Sequence, residues 1–405
     1  MDVEQQPAAA AAAPAPEAED DEDKPTEQVP DMAVAQLAFV VTSGRGTQDD
    51  AKAAMDIITA KNMAPFYKAL CAKSPQHFAL DDALLQRMEA ENAKTLAEID
   101  AAQEMAEKDS GDVEVLDAMF ARAAHYARIG DRDAALAAHK AIVERAKIST
   151  GRRIDAAMAT VRVGLFHSDM PAVKEALASA KKLVEAGGDW DRRNRLKVYE
   201  AFYLVLARDM KGAAALLLEC VATFTCTELC SYEEFIFVAV VTNVLCLPRT
   251  DLKKKIVDGP EVLGVLPSLP HLQALVASLY NCDYRGFMAA MVEVNEQLLS
   301  DRYFAQHARY MVKELRILAY AQYLEAYRSV VLASMARAFG VGVDFLDAEL
   351  SRFIAAARLN AQIDKVGGVV ETNRPDKKNA QYQAAIKQGD LLLNKIQKLA
   401  RVTDV

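Results

Sequence analysis

Apolar residues recur every three to four positions along almost the whole chain after residue 48, which is the period of an amphipathic helix. Three successive stretches share one layout: 127–146, 166–186 and 206–224. In each, an apolar helix ends, a small or polar residue and an Asp form a turn, and a second amphipathic helix begins. The pattern predicts a repeated helix pair whose turn acids are Asp131, Asp169 and Asp209, spaced 38 and 40 residues apart.

Repeated helix pairs stack into a continuous array, because one pair alone leaves its apolar face open to water. Asp283, 74 residues after Asp209, marks a later unit, and Asp251 is a candidate for the weak unit between them. Each Asp is predicted to cap the second helix of its pair by accepting hydrogen bonds from free backbone amides. We expect N-terminal helices over 32–110 and a tetratricopeptide-like solenoid over 111–300.

The pattern changes after residue 300. A long helical stretch over 302–327 precedes a shorter one over 329–340 that ends at Gly340, and a third follows over 341–359. Asp344 and Asp347 have the spacing of a capping-box variant. The apolar face of this third helix comprises Phe345, Leu346, Leu350, Phe353 and Ile354. Apolar residues around Gly367–Gly368 indicate a hairpin, so a winged helix-turn-helix is predicted over 301–373.

The last segment, 374–405, predicts a terminal helix with an apolar seam. Its seam residues alternate by four and three positions, which is the spacing of a coiled coil: Tyr382, Ile386, Gly389, Leu393, Ile396 and Ala400. Leu392 and Leu399 widen this stripe, and Gly389 weakens the helix locally. Such a helix at a chain end needs a surface to pack against. The candidate interface residues are therefore Tyr382, Ile386, Leu392, Leu393, Ile396 and Leu399.

Charge separates the first residues from the rest. Residues 1–31 hold ten acids and one base in an Ala/Pro-rich stretch, so we expect a disordered acidic tail, without the features of a signal peptide. The remaining chain holds 47 acids and 47 bases. This balance argues against a nucleic-acid-binding domain, which needs a basic excess. The most apolar window, 235–248, is too short to span a membrane and predicts a buried helix.

The chain contains none of the common catalytic or nucleotide-binding motifs, such as G-x-x-x-x-G-K-S/T, H-E-x-x-H, G-x-S-x-G or C-x-x-C. Six cysteines without paired spacing predict reduced core thiols, and six scattered histidines predict packing or surface roles. Gly340 and Gly342 resemble part of a phosphate loop, but Asp344 and Asp347 would occupy the helix dipole that a phosphate needs. The net charge of −1 over 344–358 would also repel DNA. We predict no catalytic residue, cofactor, metal or small-molecule substrate.

Helical repeats that lead into a winged helix are the architecture of the PCI domain. The sequence from about 309 to 402 also resembles the PCI-domain subunits of the proteasome lid, most densely in KELRILAYAQYLEAYRSV, MARAFGVGVDFLDAELSRFIAAARL, IDKV, VETNRPDKKNAQYQ and IKQGDLLLNKIQKL. A looser resemblance begins at about residue 60 and includes FYKALC and GDWDRRNRLKVYEAFYL. It implies that the helical part of the PCI domain begins at about 195.

The resemblance implies a non-catalytic structural subunit of the 26S proteasome regulatory particle lid. Such a subunit supports assembly and ATP-dependent degradation of ubiquitinated proteins, in the cytoplasm and nucleus. In that family the repeats contact neighbouring subunits, the winged helices join edge to edge, and the terminal helices gather in a bundle. The implied partners are other PCI lid subunits and proteasomal ATPases, with no nucleic acid and no membrane. The alternative is a subunit of the related COP9 signalosome, which shares the PCI layout.

Overall fold

The computed structural model describes residues 29–109, 111–145, 148–373 and 377–403, and these ranges are mostly helical. Four helices come first: α1 (Met32–Thr42), α2 (Gln48–Ala60), α3 (Ala64–Lys73) and α4 (Asp82–Asp109). Asp31 caps α1, since its carboxylate accepts a hydrogen bond from the Ala33 amide at 3.0 Å. Thr47 and Asp50 form a capping box on α2. Short polar residues thus fix where α1 and α2 begin.

The fold begins before residue 32. Val29 is buried in a small apolar cluster with Ala127 and Val163, and the Arg162 guanidinium donates to its carbonyl (Nε–O 3.1 Å). The expectation of a disordered tail that extends to residue 31 is therefore wrong at its end, because these residues have apolar and hydrogen-bonded partners. The rest of that predicted tail, residues 1–28, lies outside the described residues.

A series of helices in the repeat region follows, and most of its apolar faces join one continuous core. Helices that are neighbours in sequence pack together, both within a pair and between one pair and the next. The helices are α5 (Asp112–Ile129), α6 (Arg132–Glu144), α7 (Thr150–His167), α8 (Met170–Gly187), α9 (Trp190–Leu206), α10 (Met210–Cys220), α11 (Tyr232–Cys246), α12 (Arg249–Leu252), α13 (Pro260–Val265), α14 (Pro270–Asn281) and α15 (Tyr284–Ser300).

The turn between the two helices of a pair has the same construction four times. The residue before the turn Asp adopts a left-handed backbone, with φ between 59° and 76°, at Gly130, Ser168, Arg208 and Cys282. The Asp side chain then accepts a hydrogen bond of 3.1 to 3.3 Å from the amide three residues on, at Asp131, Asp169, Asp209 and Asp283. The predicted capping role of these four acids is confirmed.

Asp251 departs from this rule. It lies inside α12, which begins after Pro248, and α12 continues into a π-helical turn over Lys253–Val257. Pro260 and Pro270 then begin two further helices. Proline lacks an amide hydrogen and clashes with the preceding turn, so it breaks a helix into shorter pieces. The expectation that Asp251 marks a repeat turn is wrong.

Helix α11 lies at the centre of the core. All residues from Phe235 to Val244 are buried, which confirms the buried helix predicted for the apolar window. Its two polar residues donate hydrogen bonds within the helix, Thr242 to Val238 and Asn243 to Ala239 (Nδ2–O 2.7 Å). Among the described residues, none of the helices has both the length and the apolar character needed to cross a bilayer.

A non-helical turn joins the repeats to the last part of the chain. The Asp301 carboxylate accepts hydrogen bonds from the amides of Tyr303 (2.6 Å) and Phe304 (3.3 Å). The Arg302 amide donates to the side chain of Gln36 on α1 (3.1 Å), so the first helix also supports this turn. The predicted helix over 302–327 is therefore wrong at its start, because these side-chain contacts hold the residues before Ala308 in turns.

Three helices and a three-stranded antiparallel sheet form the winged helix: α16 (Ala308–Glu325), β1 (Ser329–Val331), α17 (Leu332–Phe339), α18 (Val343–Ala355), β2 (Ala361–Asp364) and β3 (Val369–Thr372). The strand order is β1–β3–β2, and Val370 of β3 lies opposite both Val330 and Ile363. The predicted hairpin is confirmed. The predicted helix over 329–340 is wrong at its start, since β1 pairs with β3. Helix α19 (Lys377–Thr403) follows, which completes the predicted fold class of helical repeats, winged helix and C-terminal helix.

Replacing one turn acid should weaken the array by a predictable amount. Asp209→Ala should lower the free energy of unfolding by about 1 kcal/mol, because the first turn of α10 loses the partner of the Gly212 amide. Urea unfolding followed by circular dichroism measures the change. Asp251→Ala, inside α12, is the matched control and should change stability by less than about 0.5 kcal/mol. Equal losses in the two variants would contradict the capping role.

His139 should make the fold sensitive to acid. It is 4% exposed, and burial, with a smaller contribution from Arg162, lowers its pKa from 6.5 to about 4. The unfolded chain therefore takes up this proton first, and stability is lost as pH falls below about 6.5. His139→Leu should reduce the difference in unfolding free energy between pH 7 and pH 5 by about 2 kcal/mol. Urea titrations at both pH values test this, with His271→Gln at an exposed site as control; an unchanged difference would contradict it.

Candidate functional site

Helix α19 is exposed to solvent around its whole circumference, for every side chain of it that the structure describes. The six predicted interface residues are between 53% and 67% exposed: Tyr382, Ile386, Leu392, Leu393, Ile396 and Leu399. A contiguous apolar patch of this kind on a chain surface marks an interaction site. The exposure is what an assembly surface requires, while the use of these residues as an interface stays a prediction.

Two further apolar side chains lie on the opposite side of α19. Leu391 and Val402 are 57% and 74% exposed, and at the helical period they lie about 160° to 180° away from Leu393. Sequence reasoning missed them because it followed a single seam, although their separation of eleven residues, about three turns, is visible in the sequence. The helix also carries six bases and one acid, Asp390. It can therefore contact partners on two sides and favours acidic neighbours.

One acid of the third helix of the winged helix, Glu349, is buried against α16. Glu349 of α18 is 4% exposed, accepts a hydrogen bond from the Tyr320 hydroxyl (2.9 Å) and pairs with Arg316 (2.9 Å), both on α16. Burial, and then the neighbouring Glu349 carboxylate, raise the pKa of Tyr320, so the hydroxyl keeps its proton and donates it. Arg358 likewise pairs with Glu314 of α16. A helix that reads DNA bases would present such charged groups to the DNA, whereas here they are paired with groups of α16.

The start of α18 differs from the sequence expectation. Gly342 is the residue at the N-cap, and no side chain caps it. Asp347 instead pairs with Lys365 at the tip of the hairpin (Nζ–Oδ2 3.1 Å). The capping box expected from Asp344 and Asp347 is therefore wrong, because the helix begins at Val343, so that Asp344 already lies within its first turn. Phe345 was also expected on the buried face but is 43% exposed, unlike Leu346, Leu350 and Phe353.

Gly340 forms the turn that separates α17 from α18. It ends α17 with a left-handed backbone (φ 68°), which confirms its predicted role. A Cβ atom at this position would lie 3.1 Å from Cγ of Arg285 on α15. Both the backbone conformation and this close approach favour glycine. The turn brings the winged helix against the last repeat helix.

The cysteines are free thiols, and three of the six are buried. Cys282 is exposed, contrary to the expectation of core thiols. Burial on its own would raise its pKa, but hydrogen bonds from Tyr284, Arg249 and Gln322 outweigh burial and lower the pKa below its ordinary value. The described residues hold no group of three or more His, Cys, Asp or Glu side chains placed to bind a metal ion.

Comparison with known families matches three parts of the chain. Residues 81–255 match the profile described as 26S proteasome subunit RPN7, and residues 291–374 match the PCI domain. Residues 381–402, within α19, match the profile described as 26S proteasome regulatory subunit RPN7/PSMD6 C-terminal helix. Repeats, winged helix and terminal helix thus define a PCI-domain protein of the helical-repeat class.

Individual relatives give the particular family. The 26S proteasome non-ATPase regulatory subunit 6 homolog of Arabidopsis thaliana is 46% identical over 351 residues, 87% of this chain and 90% of the relative. The Oryza sativa subunit 6 is 43% identical over 94% of this chain and 98% of its own length. RPN7 of Saccharomyces cerevisiae is 38% identical over 93% and 94%. The chain belongs to the family of 26S proteasome non-ATPase regulatory subunit 6, or RPN7.

A more distant relative bears on the alternative assignment, a subunit of the COP9 signalosome. COP9 signalosome complex subunit 1 of Arabidopsis thaliana is 27% identical over 142 residues, which is 35% of this chain and 32% of that protein. This similarity is weaker and partial, whereas the subunit 6 relatives match over most of both chains. The predicted family is confirmed.

The exposure of α19 predicts that a charge in its seam leaves the isolated chain folded. Leu393→Asp should change the free energy of unfolding by less than about 0.5 kcal/mol, because Leu393 is 55% exposed. Leu350→Asp on the buried face of α18 is the matched comparison, and it should unfold the winged helix because it buries an unpaired charge. Urea unfolding monitored by circular dichroism distinguishes them. A large loss of stability in Leu393→Asp would contradict the exposed placement of the seam.

Proposed function

We propose that the chain is a structural subunit of the lid of the 26S proteasome regulatory particle. In this role it supports assembly of the particle and ATP-dependent degradation of ubiquitinated proteins in the cytoplasm and nucleus. Helix α19 carries the proposal, because a long helix with large exposed apolar side chains coincides with the segment that matches the family's C-terminal helix. Covering such a surface with a partner removes apolar area from water, which favours association.

Three surfaces would serve assembly with other PCI lid subunits and with the proteasomal ATPases. The seam of α19 packs in a bundle with terminal helices of neighbouring subunits. The sheet of the winged helix has β1 and β2 as its outer strands, so each has one side free to pair with a neighbour. The helical repeats present an elongated face to adjacent subunits.

The proposed role is non-catalytic. Glu349 and Arg316 are engaged in holding α16 against α18, and the turn acids hold the repeats together. These polar groups act in folding, and the family relatives are described as regulatory subunits. The chain thus contributes surfaces to the particle, with neither a cofactor nor a small-molecule substrate of its own.

Affinity purification of the tagged chain from its own cells tests both the complex and the surface. Mass spectrometry should find proteasomal ATPases and lid subunits with the wild type. Leu393→Asp should reduce their recovery at least about tenfold, since it places a charge in the apolar seam. Asn394→Asp adds the same charge at an exposed residue of the same helix, between its two apolar sides, so it is the matched control and should retain most partners.

Two outcomes would contradict the proposal at different points. Recovery of signalosome components alone would support the COP9 alternative and overturn the lid assignment. Equal recovery with Leu393→Asp and Asn394→Asp, in a complex that contains lid subunits, would leave the assignment intact but exclude the proposed orientation of α19.

A further inference from the structure

A groove of about 730 Å³ lies between α10 and the irregular segment that follows α11. Helix α10 forms one wall with residues three or four positions apart, which therefore share a face: Lys211, Ala214, Ala215 and Leu218. The π-helical turn and the start of α13 form the opposite wall: Lys254, Lys255, Gly259, Pro260 and Glu261. We refer to it as the Lys254 groove.

A molecule in solution can reach both walls of the Lys254 groove. All three of its lysines are exposed, as is Ala215, and half-buried Leu218 and Leu247 provide apolar surface between them. The basic wall is anchored from beneath, since Ile256 and Val262 are 0% and 1% exposed. The groove is therefore accessible and already formed.

The Lys254 groove carries unbalanced positive charge. Within the ranges that the structure describes, none of its three lysines has an ion-pair partner. Of its two acids, Glu219 pairs with Lys197 of α9, outside the lining (Nζ–Oε2 2.9 Å), which leaves only Glu261 to offset the lysines. The lining has no aromatic side chain on which nucleic-acid bases could stack. These features favour an acidic peptide as the occupant.

The chain contains such a peptide near its own N-terminus. Residues 17–23 read EAEDDED, which is six acids in seven positions. Residues 1–28 together hold nine acids and one base, whereas the rest of the chain holds 48 acids and 47 bases. The acidic excess of the chain is therefore concentrated in the segment that precedes Val29.

That segment joins the described fold close to the groove. Asp31, two residues after the buried Val29, lines a cavity that also contains Tyr232. The Tyr232 hydroxyl donates to the carbonyl of Val221 (3.4 Å), and Val221 lines the Lys254 groove. One cavity and one tyrosine side chain thus separate Asp31 from the groove.

The length of the segment suits this separation. Fully extended, residues 24–28 would reach about 17 Å from Val29, and residues 17–23 would cover about 23 Å more. A peptide tethered this close to a site has an effective concentration there of about 1 mM or above, so a weak intrinsic affinity is enough for binding.

We propose that residues 17–23 bind in the Lys254 groove of the same chain. Their carboxylates pair with Lys211 on one wall and with Lys254 and Lys255 on the other. While the segment is bound, the groove is closed to acidic segments of other proteins, so the contact is autoinhibitory. This site is distinct from α19 and does not depend on the lid role proposed above.

Lysine footprinting of the full chain tests the contact. Brief reductive dimethylation labels a lysine amine more slowly when another segment covers it. The three groove lysines should react at least about threefold more slowly in the wild type than in a variant with a neutral tail. Lys68 and Lys73, which are exposed on α3, are the controls and should react equally in both. The neutral-tail variant replaces six acids by amides of the same shape: Glu17→Gln, Glu19→Gln, Asp20→Asn, Asp21→Asn, Glu22→Gln and Asp23→Asn.

Carbodiimide crosslinking locates the contact, because it joins a carboxylate directly to an amine without a spacer. Mass spectrometry should find residues 17–23 joined to Lys211, Lys254 or Lys255. A mixture of unlabelled chain and chain labelled with a heavy nitrogen isotope distinguishes crosslinks within one copy from those between copies. Crosslinks within one copy should predominate.

A pair of double variants separates local charge from net charge. Lys254→Gln with Lys255→Gln removes the basic wall and should reduce crosslinks to Lys211 at least about threefold, because pairing across the groove is lost. Lys68→Gln with Lys73→Gln changes the net charge equally and should leave these crosslinks unchanged. All four substituted lysines are exposed, and thermal unfolding checks that both variants stay folded.

Three results would overturn the proposal, and each would leave the lid assignment intact. Equal labelling of the groove lysines with wild-type and neutral tails would show that the tail does not cover them. Crosslinks from residues 17–23 to Lys395 or Lys398 in place of the groove would put the tail on α19. Crosslinks found only between copies would make this a contact between two chains.

Discussion

The burial of α11 on all sides is the constraint around which the described chain is organised. Its residues from Phe235 to Val244 present no polar face, so the helix is stable only with neighbours all around it. Helices α10, α13, α14 and α16 provide these contacts. Helices α10 and α13 precede the last repeat pair, α14 is the first helix of that pair, and α16 belongs to the winged helix. The repeats and the winged helix are therefore two sides of one core, and the shared helix sets how they meet.

Features that depend on near neighbours in sequence could be predicted, and features that depend on distant partners could not. The turn acids were found because a left-handed residue followed by an Asp cap is a local signal. The turn after Asp301 was missed because the Arg302 amide is held by Gln36, 266 residues away. Strand β1 was taken for helix because its partner β3 lies some 40 residues further on. Val29 was assigned to the tail because its partners are on α5 to α7.

The same distinction between local and long-range features applies to the candidate functional residues. The seam of α19 follows from spacing alone, whereas the two buried Arg–Tyr–Glu clusters do not. In the winged helix, Arg316 and Tyr320 occupy both carboxylate oxygens of Glu349. In the repeats, Arg162 and Tyr199 approach only one oxygen of Glu228. Both carboxylate oxygens of Glu349 thus have a partner among the described residues, whereas Oε2 of Glu228 has none. This difference depends on the three-dimensional surroundings, which a sequence pattern does not show.

The eight large apolar side chains exposed on α19 also bear on the fate of a surplus copy of the chain: Tyr382, Ile386, Leu391, Leu392, Leu393, Ile396, Leu399 and Val402. Cellular quality control distinguishes immature from mature proteins largely by such surface. A copy of the chain without bound partners would therefore expose the kind of apolar surface that marks an immature protein, even when the rest of it is fully folded. If neighbours cover this helix as proposed, supply of the chain in excess of them would be self-limiting, through chaperone capture or aggregation.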